Sequence, residues 1–355
     1  MRFFRLGSLL VALSIAPHAT LPAQAPASPD SQQMTIHVSV SSRSGESVEG
    51  LTEDDFTLTD NKHPEPLTAF QALAASPTEI VIVLDTVNLP YNEVSFARQQ
   101  LGQYFSSNAH LPQPIALGVL QDSGLKMQPE FSTDGNALRS ALDRYSIGLR
   151  ELPRSTGIYG AEERLQLSLK TFMGLIAQMP GDGAKRIIWI SPGWPLLGGP
   201  GVEISQSQRA PLFGSIVAVA TELRRRQIVV DAVNPGGASE DVGRTNFYET
   251  FLHAPRSARD VEFGQLGLQV IAQQSGGLVL NGSNDISGLI QRATAQTKGG
   301  YELTFMPAPG ERVNEYHELQ VKVRRPGVTV HTTAGYYARP DFPELPRPAT
   351  STGAN

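Results

Sequence analysis

The sequence predicts an α/β fold, a doubly wound and mainly parallel sheet with a small β unit formed from both chain ends. Three observations carry that expectation. The run Ile80 to Leu84 is wholly apolar, mostly β-branched, and ends in Asp85, which suits a strand buried on both faces. Two similar runs, RIIWIS (Arg186–Ser191) and QIVVDAV (Gln227–Val233), follow after helical patterns. Strands separated by helices of that length need crossover connections, hence parallel pairing. Both ends of the chain, by contrast, switch to period-two alternation.

Taken in order, residues 1–25 have the pattern of a secretory signal peptide. Arg2 and Arg5 precede the short apolar run Leu6–Ala16, and Ala23-Gln24-Ala25 offers a small-x-small cleavage site. The run falls short of the roughly 20 residues that span a bilayer. No membrane span is therefore expected after cleavage. Residues 26–33 read as a flexible leader.

An N-terminal β segment is expected over 34–75. Ile36, Val38 and Val40 alternate with polar residues, as do Phe56 and Leu58, and Leu67–Leu73 is a further strand. Glu53-Asp54-Asp55 reads as a solvated turn.

The α/β domain is expected over 78–307. After Asp85, the turn Asn88-Leu89-Pro90 leads into a helix at 92–106, where Val94, Ala97, Leu101 and Phe105 keep helical spacing. A strand at Ile115–Leu120 and an antiparallel return at Leu125–Phe131 come next, then a helix at 135–144. Leu165, Leu169, Phe172, Ile176 and Met179 mark another helix. Further helices are expected at 212–226, 264–275 and 285–297, with strands at Leu278–Leu280 and Tyr301–Met306. The polar stretch 237–263 is long for a connection in a packed domain. It carries Phe247, Tyr248, Phe251 and Phe263.

Residues 308–339 return to period two, with Leu319, Val321 and Val323 alternating with polar residues. These strands are expected to pack with the N-terminal segment. The proline-rich stretch 340–355 reads as a disordered tail.

Composition narrows the function. The 355 residues include 29 basic and 34 acidic side chains and no cysteine. Without Arg2 and Arg5 the basic count becomes 27 against 34 acids, a net charge of −7. That disfavours nucleic acid and anionic lipid as partners. An exported chain without cysteine has neither disulfides nor thiolate metal sites, which suits a secreted or periplasmic protein of a bacterial envelope. The basic run Arg224-Arg225-Arg226, at a helix end, suits the helix dipole better than phosphate.

The strands IVIVLDTVN, RIIWISPGW and IVVDAVNP, in this order, resemble a von Willebrand factor type A (VWA) domain. More narrowly, the segments Gly50–Phe56 (GLTEDDF), Asp85–Asn88 (DTVN), Tyr301–Pro307 and Gly335-Tyr336-Tyr337 are similar to a secreted bacterial branch of VWA-related proteins. The resemblance spans about residues 34–339. It implies a Rossmann-like sheet with a divalent cation site at its top, normally D-x-S-x-S, a threonine and a later aspartate. Residue by residue, Asp85 matches the first carboxylate, Val87 and Leu89 stand at the two serine positions, Thr156 matches the threonine, and Ser191 stands at the later aspartate. Mg²⁺ wants several hard oxygen ligands, so no cofactor is expected and Mg²⁺ is disfavoured. Asp85 is the only clear candidate ligand. Asp85 and Asn88 are expected instead to cap the following helix and satisfy its free N–H groups.

No HExxH, G-x-S-x-G or P-loop pattern occurs. The expectation is a VWA-like protein-interaction or adhesion module with a degenerate cation site and no catalysis. Its partner would be a protein or an envelope component. Candidate binding residues are Asp85, Asn88, Thr156, Ser191 and Trp194, the last either a rim anchor or a core residue. The alternative is an envelope hydrolase working in the cleft at the carboxyl ends of the strands.

Overall fold

The apolar run that ends in Asp85 is the middle strand of a seven-stranded sheet, with every residue from Ile80 to Asp85 buried. The structure, a computed structural model, describes residues 33–73, 78–128, 130–145, 157–179, 184–197, 203–237, 246–296 and 299–339. The expected signal peptide, leader and tail lie outside these residues, apart from Gln33 in the leader.

Fifteen strands and six α-helices are described. The strands are β1 (Met34–Ser42), β2 (Phe56–Asp60), β3 (His63–Glu65), β4 (Leu67–Leu73), β5 (Glu79–Asp85), β6 (His110–Gln121), β7 (Gly124–Met127) and β8 (Ser132–Asp134). They continue with β9 (Lys185–Ile190), β10 (Ile228–Val233), β11 (Val279–Leu280), β12 (Gly300–Phe305), β13 (Glu315–Val323), β14 (Val328–Thr332) and β15 (Gly335–Ala338). The helices are α1 (Tyr91–Ser107), α2 (Gly135–Arg144), α3 (Gly157–Gln178), α4 (Gln206–Arg225), α5 (Leu268–Gln274) and α6 (Ile286–Ala295).

The central sheet runs β11-β10-β9-β5-β6-β7, with β8 also on β6. All pairs from β11 to β6 are parallel, while β7 and β8 are antiparallel. Alternation along β5 divides the core. Val81 and Val83 face α3, α4 and α5 through Phe172, Ile216 and Ile271. Ile80, Ile82 and Leu84 face α1, α2 and α6 through Leu101, Leu138 and Ile290. Each such side chain contributes about 1.5–3 kcal/mol by leaving water. The result is a doubly wound, mainly parallel α/β sheet, consistent with a VWA- or Rossmann-like build.

Two helices begin earlier than periodicity suggests. α4 starts at Gln206, ahead of Pro211, because Ser205 and Gln208 form a capping box that nucleates it. α3 starts at Gly157, eight residues before the apolar repeat becomes regular.

One expected pairing is corrected. β12 does not complete the parallel alternation; it lies antiparallel between β1 and β4. The reason is its own pattern. Tyr301, Leu303 and Phe305 are buried and the intervening residues are not, the period of a strand with one core face. The order β14-β1-β12-β4 forms one antiparallel sheet and β15-β13-β2-β3 a second. Both pack on a shared core that includes Ile36, Val38, Leu58, Leu303, Phe305, Leu319 and Tyr336. The hairpin β2–β3 turns on Asn61 and Lys62, both at positive φ (48° and 71°), which matches the twist of a two-residue hairpin. Inside this unit Asp60 holds the His317 ring at 2.9 Å and accepts from the Tyr336 hydroxyl at 2.6 Å.

The described residues form one unit beginning at Gln33. Between β9 and β10 a buried ion pair, Arg186 to Asp231 at 2.5 Å, acts on His37 of β1 and His331 of β14. Burial first, and the Arg186 guanidinium second, hold the His37 pKa down to about 4. The same two causes lower His331, with Asp231 acting the other way. The unfolded chain therefore takes up a proton near its ordinary pKa of 6.5 that the folded chain refuses until about pH 4. Stability is expected to fall by about 3 kcal/mol as pH drops through that window. Urea titrations between pH 7 and pH 4 check this: His37→Gln should flatten the slope, and an unchanged slope would exclude His37 as its source.

Candidate functional site

The carboxyl end of β5 organises the top of the central sheet. Asp85 is fully buried, and a buried carboxylate is stable only with hydrogen-bond donors around it. It has four. Oδ1 accepts from the backbone N–H groups of Val87 and Asn88, both at 3.0 Å. Oδ2 accepts from the Asn88 side-chain amide at 2.8 Å and from the Trp189 indole N–H at 3.0 Å. The Asn88 amide also donates to Ser168 of α3 at 3.0 Å. One carboxylate thereby ties β5, its own following turn, β9 and, through Asn88, α3. The expected capping of the next helix is corrected: α1 opens after Pro90 with no side-chain cap, because Asp85 and Asn88 direct their hydrogen bonds to the turn, to each other and to Ser168.

The turn is pinned on both sides. Val87 is 1 % exposed and joins the core beneath α3, while Leu89 is fully buried in the core beneath α1. At the two positions where a cation-binding turn would place serine oxygens, this chain inserts apolar side chains into opposite halves of the core. Thr86 closes the next strand, its hydroxyl donating to the Leu120 carbonyl at 2.6 Å.

Ser191 is 1 % exposed and its Oγ accepts from the Gly193 N–H at 3.2 Å. Gly193 sits at φ 114°, and a Cβ there would run into the Gln269 amide, so the turn requires glycine. Trp194 is a core residue at 2 % exposure, not a rim anchor. Its ring meets Trp189 at 5.2 Å and Phe172 at 5.4 Å, and those two meet at 6.0 Å, all edge-on. Two polar atoms in this region are buried without a partner, Asn88 Oδ1 and Trp194 Nε1. Thr156 lies outside the described residues. Asp85 and Asn88 are thus in direct contact, whereas Ser191 and Trp194 are engaged in their own turn and ring cluster.

Sequence reading missed Trp189 and Ser168. The signal was present in part, because a tryptophan inside a buried strand needs an acceptor for its N–H. Register supplies the rest. Trp189 pairs with Val83, so its indole shares a face with Asp85, two residues further along the same strand. Among the described residues no group of three His, Asp or Glu side chains is placed to hold a metal ion.

The aromatic rings with most exposure are elsewhere on this end of the sheet. Tyr91 (59 %) opens α1 directly after the β5 turn, Tyr159 (74 %) is in the first turn of α3, and Phe247 (40 %) is in the connection after β10. Phe247 rests edge-on against Phe251 at 5.4 Å. Phe251 and Tyr248 are buried with Val270, so the described part of the 237–263 connection is packed, not a bare linker. No described helix is long and apolar enough to cross a membrane.

No protein-family model matches the chain, and no curated protein matches it. Among solved structures, it is similar to an aerotolerance-related membrane protein from Bacteroides fragilis, with 16 % identity and a TM-score of 0.32 over 61 % of this chain and 98 % of that one. It is also similar to proximal thread matrix protein 1 from the mussel byssus, at 11 % identity and a TM-score of 0.35, covering 67 % of this chain and 51 % of that one. A third is the manganese-loaded TRAP protein of Plasmodium vivax, at 10 % identity and a TM-score of 0.31 over 74 % and 96 %. These are distant likenesses, and the site is read from its own residues.

Replacing Asp85 by alanine leaves the indole, the amide and two backbone N–H groups without their acceptor. The expected loss is about 3 kcal/mol or more, measured by urea unfolding with Trp fluorescence as the probe. A loss below about 1 kcal/mol would mean that the carboxylate does not hold the turn.

Proposed function

We propose that the protein is a VWA-like interaction module that grips a protein or cell-envelope partner with the carboxyl end of its central sheet, without a cation. The observation that carries this reading is the occupation of both Asp85 oxygens by four N–H donors. A divalent ion at that carboxylate would have to displace these donors, and Val87 and Leu89 offer no oxygen in exchange. The degenerate site then acts as a rigid pedestal. The rings of Tyr91, Tyr159 and Phe247 supply what an interaction surface needs, since exposed aromatics surrounded by polar residues are the usual anchors of association.

Export belongs to the same proposal and rests on the pattern of residues 1–25. A secreted or periplasmic location puts the module among envelope proteins. Catalysis is not part of it: the Ser191 hydroxyl is buried and turned into its own loop, a poor position for the nucleophile of the hydrolase alternative.

The test is co-purification from the envelope fraction with the mature protein as bait, in about 5 mM Mg²⁺ or in excess chelator. The same partner should be retained in both conditions. The combined substitution Tyr91→Ala, Tyr159→Ala and Phe247→Ala should weaken retention about tenfold or more while circular dichroism stays unchanged. Retention that needs Mg²⁺ would sink the cation-free reading, and retention indifferent to all three rings would move the binding surface elsewhere.

A further inference from the structure

Where α4 and α5 meet β13 and β15, there is an apolar cavity of about 50 Å³. That is room for several non-hydrogen atoms. Ile216, Ala220, Leu223 and Val270 form much of its wall. One charged side chain lines it, Arg224. Helical spacing explains the placement, because residues 216, 220 and 224 repeat every four positions along one face of α4.

The three consecutive arginines at the end of α4 behave differently. Arg225 and Arg226 each reach Glu222 at 3.0 Å, and Arg226 also donates to the Met179 carbonyl at 3.1 Å. These two serve the helix end, as their position in the last turn suggests. The Arg224 guanidinium has no hydrogen bond or ion pair among the described residues, and burial holds its pKa below the ordinary arginine value. Most of the other polar groups of the wall have partners. Gln274 donates to the Leu252 carbonyl at 2.6 Å and accepts from the Tyr316 hydroxyl at 3.3 Å. Ser275 donates to Ala272 and accepts from the Val230 N–H. Tyr316 and Tyr337 are pushed well above the usual phenol range, chiefly by burial, and stay neutral. A partly desolvated, unpaired cation beside an apolar cavity is an incomplete arrangement.

We propose that this cavity binds a small amphipathic monocarboxylate, its apolar tail among Ile216, Ala220 and Val270 and its carboxylate on the Arg224 guanidinium. The charge selects a monoanion. A phosphate ester brings two charges and more acceptors than one guanidinium serves, and a neutral hydrocarbon leaves Arg224 unpaired. The site shares no residue with Asp85 and its donors, and its test is independent of the interaction module.

Calorimetry on the full mature chain tests it with hexanoate and its uncharged counterpart, hexanamide. Hexanoate should bind saturably. Arg224→Gln should weaken hexanoate about tenfold or more while leaving the weaker hexanamide binding unchanged. Ala220→Leu, which fills the cavity, should abolish both. Without ligand, Arg224→Gln should melt at or above the native temperature, because it removes an unpaired charge. A lower melting point would mark Arg224 as a structural residue and overturn the proposal. So would hexanoate affinity equal in the native and Arg224→Gln proteins, or the absence of saturable binding.

Discussion

A single buried carboxylate sets the character of the upper part of this molecule. Asp85 ends a strand buried from Ile80 onward, and water is excluded from it, so its charge has to be balanced by fixed donors. The chain supplies them from three directions: its own turn, the Asn88 amide and the Trp189 indole. Charge-assisted hydrogen bonds of this kind are roughly twice as strong as neutral ones. They fix the turn after β5, and with it the start of α1, to β9. The anchoring of Val87 and Leu89 in opposite halves of the core completes the clamp. A carboxylate used in this way is a joint. That is why we propose that the neighbouring rings, and not an ion, carry recognition.

Much of the architecture was legible in the amino-acid order. The buried runs at β5, β9 and β10 gave themselves away by their unbroken apolar composition, and α1 and α2 by helical spacing. β12 did not. Its sequence, GYELTF, does alternate, but its position after a helix suggested one more parallel strand; only the register with β1 and β4 shows where it belongs. Strand partnership over such separations depends on the packing of distant segments, here residues 34–38 and 67–73, which no local pattern reports.

The site divides in the same way. Asp85 could be read as a hydrogen-bonded capping carboxylate, but not what it caps: it holds its own turn, and α1 begins after Pro90 without a side-chain cap. The absence of serine oxygens at 87 and 89 was equally plain. What remained hidden was everything set by register and tertiary approach. Trp189 as a donor, Ser168 as the second anchor of Asn88, and the inward turn of Trp194 follow from the pairing of β9 with β5 and from the seating of α3. The exposure of Tyr91 and Tyr159 was hidden for a related reason: helix-start residues carry no periodic signal that says which way they face.

The joint at Asp85 can be observed through the hydrogens that make it. In nitrogen–proton NMR spectra, the Trp189 indole and the Val87 and Asn88 amides each report on one of the donors. Addition of Mn²⁺ would broaden any of them that lies beside a bound ion. The account predicts slow solvent exchange for all three and no saturable broadening. Exchange with solvent at the rate of a free indole, or broadening that saturates with Mn²⁺ and vanishes in Asp85→Asn, would contradict it.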